Sequence, residues 1–324
     1  MADNEKKEGL VPALAEQFRQ RRRDWVHERT RKSRDAADRV MNAEAVTLLK
    51  SEYLVPRRMK EIAPDTYIFT EALFSSQYLF LGEKKALLID TGLGLAGLRD
   101  EVEKLLDGRE LMVAATHSSP FCVGGAAEFD KVLIHKKDLR AAKENADFEL
   151  RGKLARFLPF FRFMGLGPDD IVREKGKFKA LDPDETIDLG GRDIKVKSTP
   201  AQTPGSLTFH DEKENITVSG SVTSPVSLMI WPRAASLEDY HSSIETVVEL
   251  QGDGTNWCTH WFHPLRPGGT ADLRILVNGI LDNDNDSNRL IAAEAAGFKR
   301  LLVYRPYKLK RKTLKKKLET IWND

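Results

Sequence analysis

Side chains of metal-binding or nucleophilic type stand in two short segments of the chain. One is Thr116-His117-Ser118-Ser119-Pro120-Phe121-Cys122-Val123-Gly124-Gly125, and the other is Cys258-Thr259-His260-Trp261-Phe262-His263-Pro264. Thiolate sulfur and imidazole nitrogen are the donors that a tetrahedral zinc ion takes. A thiol beside an imidazole is also the pair that activates a cysteine nucleophile. On a strand, Cys258 and His260 would share one side by two-residue alternation. Cys122, His117, Cys258 and His260 are therefore four candidate donors for a single zinc at an atypical Cys/His site, against the plainer reading that Cys258 packs as a small buried hydrophobe. Further segments carry turn residues and hydroxyls: Ala86-Leu87-Leu88-Ile89-Asp90-Thr91-Gly92, then Thr199-Pro200-Ala201-Gln202-Thr203-Pro204-Gly205-Ser206, then Ser219-Gly220-Ser221.

In this order and spacing the segments resemble the metallo-β-lactamase superfamily of hydrolases, over about Arg58 to Tyr307. The family's signature is a strand ending in I-D-T-G, then T-H-x-H-x-D-H-x-G-G, T-P-G-H-T-P-G-S, a G-D after a strand and a late G-H-G. The likeness implies a mixed α/β (α+β) fold, a four-layer αββα sandwich with the metal ligands on loops at one edge of its two sheets. Asp90, Thr91, Gly92, Gly124, Gly125 and the Thr203-Pro204-Gly205-Ser206 turn stand where the family has them. Several short matches in one order carry weight that none has alone.

The ligand positions depart from that pattern. His117 matches the first family histidine, but Ser119 stands at the second, Phe121 at the aspartate and Cys122 at the third histidine. Gln202 replaces the next histidine and Ser221 the bridging aspartate; His260, or else His263, matches the last histidine. Five of the seven positions are changed. A hydrolytic zinc must lower the pKa of bound water to about 7, which takes nitrogen, sulfur or carboxylate donors. Serine and glutamine are weak neutral donors and phenylalanine donates nothing, so no metal cofactor is expected. Ser119, Phe121, Gln202 and Ser221, with their neighbour Trp261, become candidate ligand-binding positions. His117, Cys122 and His260 remain the candidates for catalysis, with a Cys122–His117 pair as the metal-free route.

Aromatic residues cluster in the same parts of the chain. Phe157-Leu158-Pro159-Phe160-Phe161-Arg162-Phe163-Met164 falls where relatives of the resembled family carry substrate-covering insertions. With Phe121, Trp231, Trp257, Trp261 and Phe262 it implies an apolar edge, either a pocket for a hydrophobic ligand or a plug.

The elements that must position these residues follow from periodicity. β-rich runs are predicted at Thr66–Thr70, Gln77–Leu81, Ala86–Asp90, Leu111–Thr116, Lys131–His135, Ile194–Thr199, Leu207–His210 and Ile216–Ser219. Helices are predicted at Ala96–Leu106, Lys137–Leu150, Leu237–Leu250 and Ala271–Leu281. The domain reading is a helical N-terminal extension over 1–56, a metallo-β-lactamase-like domain over 57–307 and a basic C-terminal helix over 308–324.

The 324 residues are 41% hydrophobic and 31% charged, enough for a sizeable core. The net charge of +2 is unevenly spread: residues 299–324 carry ten Lys/Arg against two acids and residues 1–50 twelve against nine, leaving an acidic body at −9. The thin apolar stripe of the N-terminal helix suits packing on the main domain or a homo-oligomer contact, and the basic tail suits an anionic membrane or nucleic acid. Two cysteines and no long apolar stretch point to a cytoplasmic protein. The expectation is a degenerate relative that has lost two-metal hydrolysis and binds a small molecule or protein partner. The alternative is a divergent hydrolase with a rebuilt single-metal or Cys/His site.

Overall fold

Alternating side chains build a sheet whose central strands are buried on both faces. Strands β1 (Arg57–Ala63), β2 (Thr66–Glu71), β3 (Ser75–Leu81), β4 (Lys85–Ile89), β5 (Glu110–Ala114), β6 (Val132–His135) and β7 (Phe178–Leu181) form one seven-stranded sheet in sequence order. The first four pair antiparallel through short turns, and β4 to β7 pair parallel. Parallel neighbours need crossovers, and helices supply them. These are α1 (Leu98–Leu106), the short α2 (Pro120–Val123), α3 (Leu139–Asn145) and α4 (Phe148–Phe157).

The period of two divides the apolar residues between two cores. Phe69, Leu79, Leu81, Ala86 and Leu88 face α1, α2 and α3, meeting Leu98, Val102, Cys122, Val123 and Ala142. Ile68, Tyr78, Phe80, Leu87 and Ile89 face a second sheet. That sheet has the order β13-β11-β10-β9-β8, from β8 (Thr186–Asp188), β9 (Asp193–Ser198), β10 (Leu207–Asp211), β11 (Ile216–Val218) and β13 (Thr255–Trp257). Its own far side is covered by α5 (Leu237–Gln251) and α6 (Gly269–Leu281), whose Leu237, Tyr240, Ile244, Leu273 and Val277 cluster with Ala201 and Val222. The layers are thus helix, sheet, sheet, helix, as the resemblance implied. A third sheet joins β12 (Val226–Met229), β15 (Phe298–Tyr304) and β14 (Leu290–Ala295) in that order.

The computed structural model describes residues 56–304, apart from 73–74, 159–160, 162–163, 225, 230–232, 261–262, 266–267, 282–289 and 296–297. The chain divides into two units, Met1–Lys50 and Ser51–Asp324, and everything described lies in the second. The N-terminal extension with its oligomer contact, the basic tail, and Trp231, Trp261 and Phe262 lie outside the described residues. No helix among the described residues is long and apolar enough to cross a membrane.

Two local expectations are corrected. The helix predicted over Lys137–Leu150 is two helices, α3 and α4, because the Asp147 side chain accepts from the Glu149 backbone N–H and starts a new helix. Trp257 does not line the edge of the sheets. It lies between them, edge-on to Tyr78 with ring centroids 6.1 Å apart.

Candidate functional site

The site lies where β4 and β5 end. Asp90 leaves β4 in a left-handed conformation (φ 65°), which aspartate tolerates better than most residues. Its buried carboxylate accepts from the Thr116 backbone N–H (2.7 Å), from the Thr116 hydroxyl (2.9 and 3.0 Å) and from the Thr259 hydroxyl (3.2 Å). Burial raises the carboxyl to about 7, although these donors pull the other way. Gly92 follows at φ 71°, where a Cβ would lie 1.7 Å from Oε2 of Glu71. Only glycine fits that turn.

His117 and Cys122 are brought together, both fully buried. Cys122 Sγ lies 3.5 Å from His117 Nδ1, and Thr116 Oγ1 lies 3.0 Å from the same nitrogen. Burial lowers His117 to about 3, helped by the nearby His260; the Gln202 amide opposes the shift without overcoming it. Burial, then the Asp90 charge, pushes the Cys122 thiol well above its ordinary value of 9.0. Both shifts oppose moving a proton from this thiol to this imidazole. Burial thus favours a neutral thiol beside a neutral imidazole over a thiolate–imidazolium couple.

The residues expected at the family's other ligand positions carry other duties. The Ser119 side chain caps α2 by accepting from the Phe121 N–H at 3.3 Å. Phe121 packs edge-on against His260, with ring centroids 5.4 Å apart, and joins an apolar cluster with Leu93, Leu158, Phe161, Met164 and Ile171. Phe161, from the aromatic stretch, is thus packed onto the α2 side of the edge. Gln202 is half-buried on its loop, and the Ser221 hydroxyl is buried without a hydrogen bond. Cys258 is buried and its carbonyl accepts from the Tyr78 hydroxyl at 2.7 Å.

The alternation expected to align Cys258 with His260 does not apply, since β13 ends at Trp257. Among the described residues, no three His, Cys, Asp or Glu side chains are grouped to hold a metal ion. The residues expected at the family's metal positions do not fit such an ion. Phe121 covers His260 with an apolar ring, Ser119 is committed to a helix cap, and the Nδ1 of His117 faces Thr116 and Cys122.

Residues with no motif of their own hold the site in shape. Asp138, buried after β6, accepts from the Ser118 N–H (2.9 Å), the Thr203 hydroxyl (2.5 Å) and the Gly205 N–H (3.0 Å). It ties the loop of His117 to the loop of Gln202. An aspartate just before a helix reads as a cap, yet its side chain caps nothing here. Other histidines serve locally: His135 accepts from the Lys137 N–H at 3.0 Å, His210 pairs with Thr217 at 3.0 Å, and His241 lies 3.4 Å from Glu245.

The sequence pattern of the metallo-beta-lactamase superfamily matches residues 70–253. A protein of Homo sapiens named acyl-coenzyme A thioesterase MBLAC2 is 27% identical over 202 residues, covering 55% of this chain and 68% of that one. Its namesake in Gallus gallus is 28% identical over 191 residues, with the same coverage. Among solved structures, the sec-alkylsulfatase Pisa1 from Pseudomonas sp. shares the fold with a TM-score of 0.51 and 16% identity, covering 70% of this chain and 42% of that one. The names of the sequence relatives are those of hydrolases. They speak for the expected alternative, a divergent hydrolase, more than for a pure binding protein.

Proposed function

The chain belongs to the metallo-beta-lactamase superfamily, and from that premise we propose that it takes an acyl thioester or a closely related acyl ligand at the β4–β5 edge without a two-metal centre. The observation that carries this reading is Phe121 packed against His260, where the family places a metal-binding carboxylate. The ligand class is drawn from the relatives named acyl-coenzyme A thioesterase. The apolar residues around Phe121 suit an acyl chain, and the neutral Cys122–His117 pair suits recognition better than turnover.

A second reading has its own support. Cys122 Sγ stands 3.5 Å from His117 Nδ1, and the relatives are thioesterases by name, so a metal-free thioester hydrolase through Cys122 is the competing function. In that reaction the sulfur attacks the thioester carbonyl carbon, His117 takes the thiol proton and the coenzyme thiolate leaves with it. Water then releases the acyl group from Cys122.

One experiment separates the two. The full chain, dialysed against a chelator, is mixed with a long-chain acyl-CoA; binding is followed by calorimetry and thiol release by a chromogenic disulfide. Binding without thiol release supports the first reading. Thiol release that survives chelation and disappears in Cys122→Ala supports the second. Release restored only by added zinc, or no binding at all, overturns both.

A further inference from the structure

Three buried polar atoms at this edge make no hydrogen bond of proper geometry: Nε2 of His117 and the hydroxyls of Ser118 and Ser221. Their residues are 0%, 0% and 1% exposed. A buried polar group without a partner is destabilising, and such groups are scarce in folded proteins. The three residues lie on loops that meet. Ser118 follows His117, and Ser221 follows Gly220, which packs so closely on Thr116 that a Cβ there would lie 2.8 Å from the Thr116 Cβ. The Gly220 carbonyl in turn accepts from the Thr259 N–H at 3.0 Å, beside Asp90.

The hydrogen-bond chain behind His117 decides what its free nitrogen offers. Thr116 Oγ1 lies 2.9 and 3.0 Å from the two Asp90 oxygens and 3.0 Å from His117 Nδ1. A hydroxyl has one proton, and above about pH 7, where Asp90 is ionised, the carboxylate takes it. The oxygen's lone pair is then left to accept the Nδ1–H of His117. In this arrangement Nδ1 carries the imidazole proton and Nε2 presents a lone pair, the opposite of the tautomer that the Cys122 hydrolysis route needs.

We infer that this buried floor is a subsite for a neutral hydrogen-bond donor, an amide N–H or alcohol O–H on an otherwise apolar ligand. His117 Nε2 accepts, and the Ser118 and Ser221 hydroxyls complete the contacts. A charged head group would lose its hydration on entering so buried a place. A group with acceptors alone, such as an ester or thioester carbonyl, would set its oxygen against the Nε2 lone pair. The inference deepens the acyl-ligand reading above and rests on it for the apolar chain. In a coenzyme A thioester the donor is the amide N–H two carbons from the sulfur, which leaves the thioester carbonyl away from His117.

The test compares decanamide with methyl decanoate, alike in chain length but differing in the donor, by calorimetry on the full chain at pH 8. The amide is expected to bind at least about tenfold more tightly, since a site built for a donor leaves its own groups unpaired with the analogue that lacks one. In Ser221→Ala the preference is expected to narrow to about threefold with the ester unaffected. The ¹⁵N spectrum of His117 supplies a readout independent of affinity, with Nδ1 protonated and Nε2 of the unprotonated type. Equal binding of amide and ester, binding of neither, or a proton on Nε2 overturns the inference. Failure of long-chain acyl-CoA to bind while the amide preference holds overturns only the acyl thioester reading.

Discussion

Replacing Asp90 by asparagine removes a charge from the centre of the site while keeping its shape. Burial holds this carboxyl at about 7, against an ordinary value of 3.8, a rise of about 3 units. Each unit corresponds to about 1.36 kcal/mol, so the full linkage is about 4 kcal/mol. The sign follows from proton counts. Between pH 4 and 7 the folded protein holds a proton on Asp90 that the unfolded chain has released, so this group's contribution to stability is lost as pH rises through that window. The substituted amide cannot titrate, and its altered contacts with Thr116 and Thr259 add an offset that does not change with pH. Urea unfolding of both proteins, followed by tryptophan fluorescence from pH 4 to pH 8, gives the difference directly. Glu71, also raised to about 7 by burial, and His117, lowered to about 3, are present in both proteins and cancel to first order. The Asp90→Asn variant is expected to gain about 4 kcal/mol relative to the wild type between the two ends of the range. A difference constant to within about 1 kcal/mol would refute the reasoning, because Asp90 would then be no harder to ionise in the fold than in the unfolded chain.

Further outcomes follow from the same geometry. Asp138→Ala leaves two backbone N–H groups and the Thr203 hydroxyl without their acceptor, and at about 1–2 kcal/mol each the loss of stability in urea melts is about 4 kcal/mol; under about 1 kcal/mol would show that the two loops hold without it. Cys122, buried with its thiol raised, is expected to react with iodoacetamide at pH 7 far more slowly than a free cysteine thiol; a rapid phase that mass spectrometry assigns to Cys122 would reveal a thiolate there. Phe161→Ala is expected to cost about 3–4 kcal/mol, since the ring is 1% exposed in the cluster with Phe121. A melting temperature unchanged by that substitution would mean that the ring does not close the edge.

The segments that carry the site are legible because they are local. Asp90-Thr91-Gly92 closes a strand of continuous apolar residues, and Gly92 is required by a left-handed turn against Glu71. β2 to β6 and α5 are readable from their periodicity because one or both faces are buried. Edge strands are not: β1 is nowhere fully buried, and β8 has one buried residue, so neither carries a strong pattern. The break between α3 and α4 turns on which backbone N–H the Asp147 side chain engages, a contest that helix propensity alone does not settle.

The family fold and the residues that stand in its motif segments follow from residue identity in a fixed order. What those side chains do was settled by the packing of the sheets. It set Cys122 against His117, folded Phe121 onto His260, drew Trp257 into the inter-sheet core and gave Asp138 the task of joining two loops. The physical reason is distance along the chain. Ser118 and Gly205 are far apart in sequence, and Asp90 meets Thr259 across 169 positions, so the burial that shifts their protons and the contacts that fix their orientation exist only once the sheets have packed.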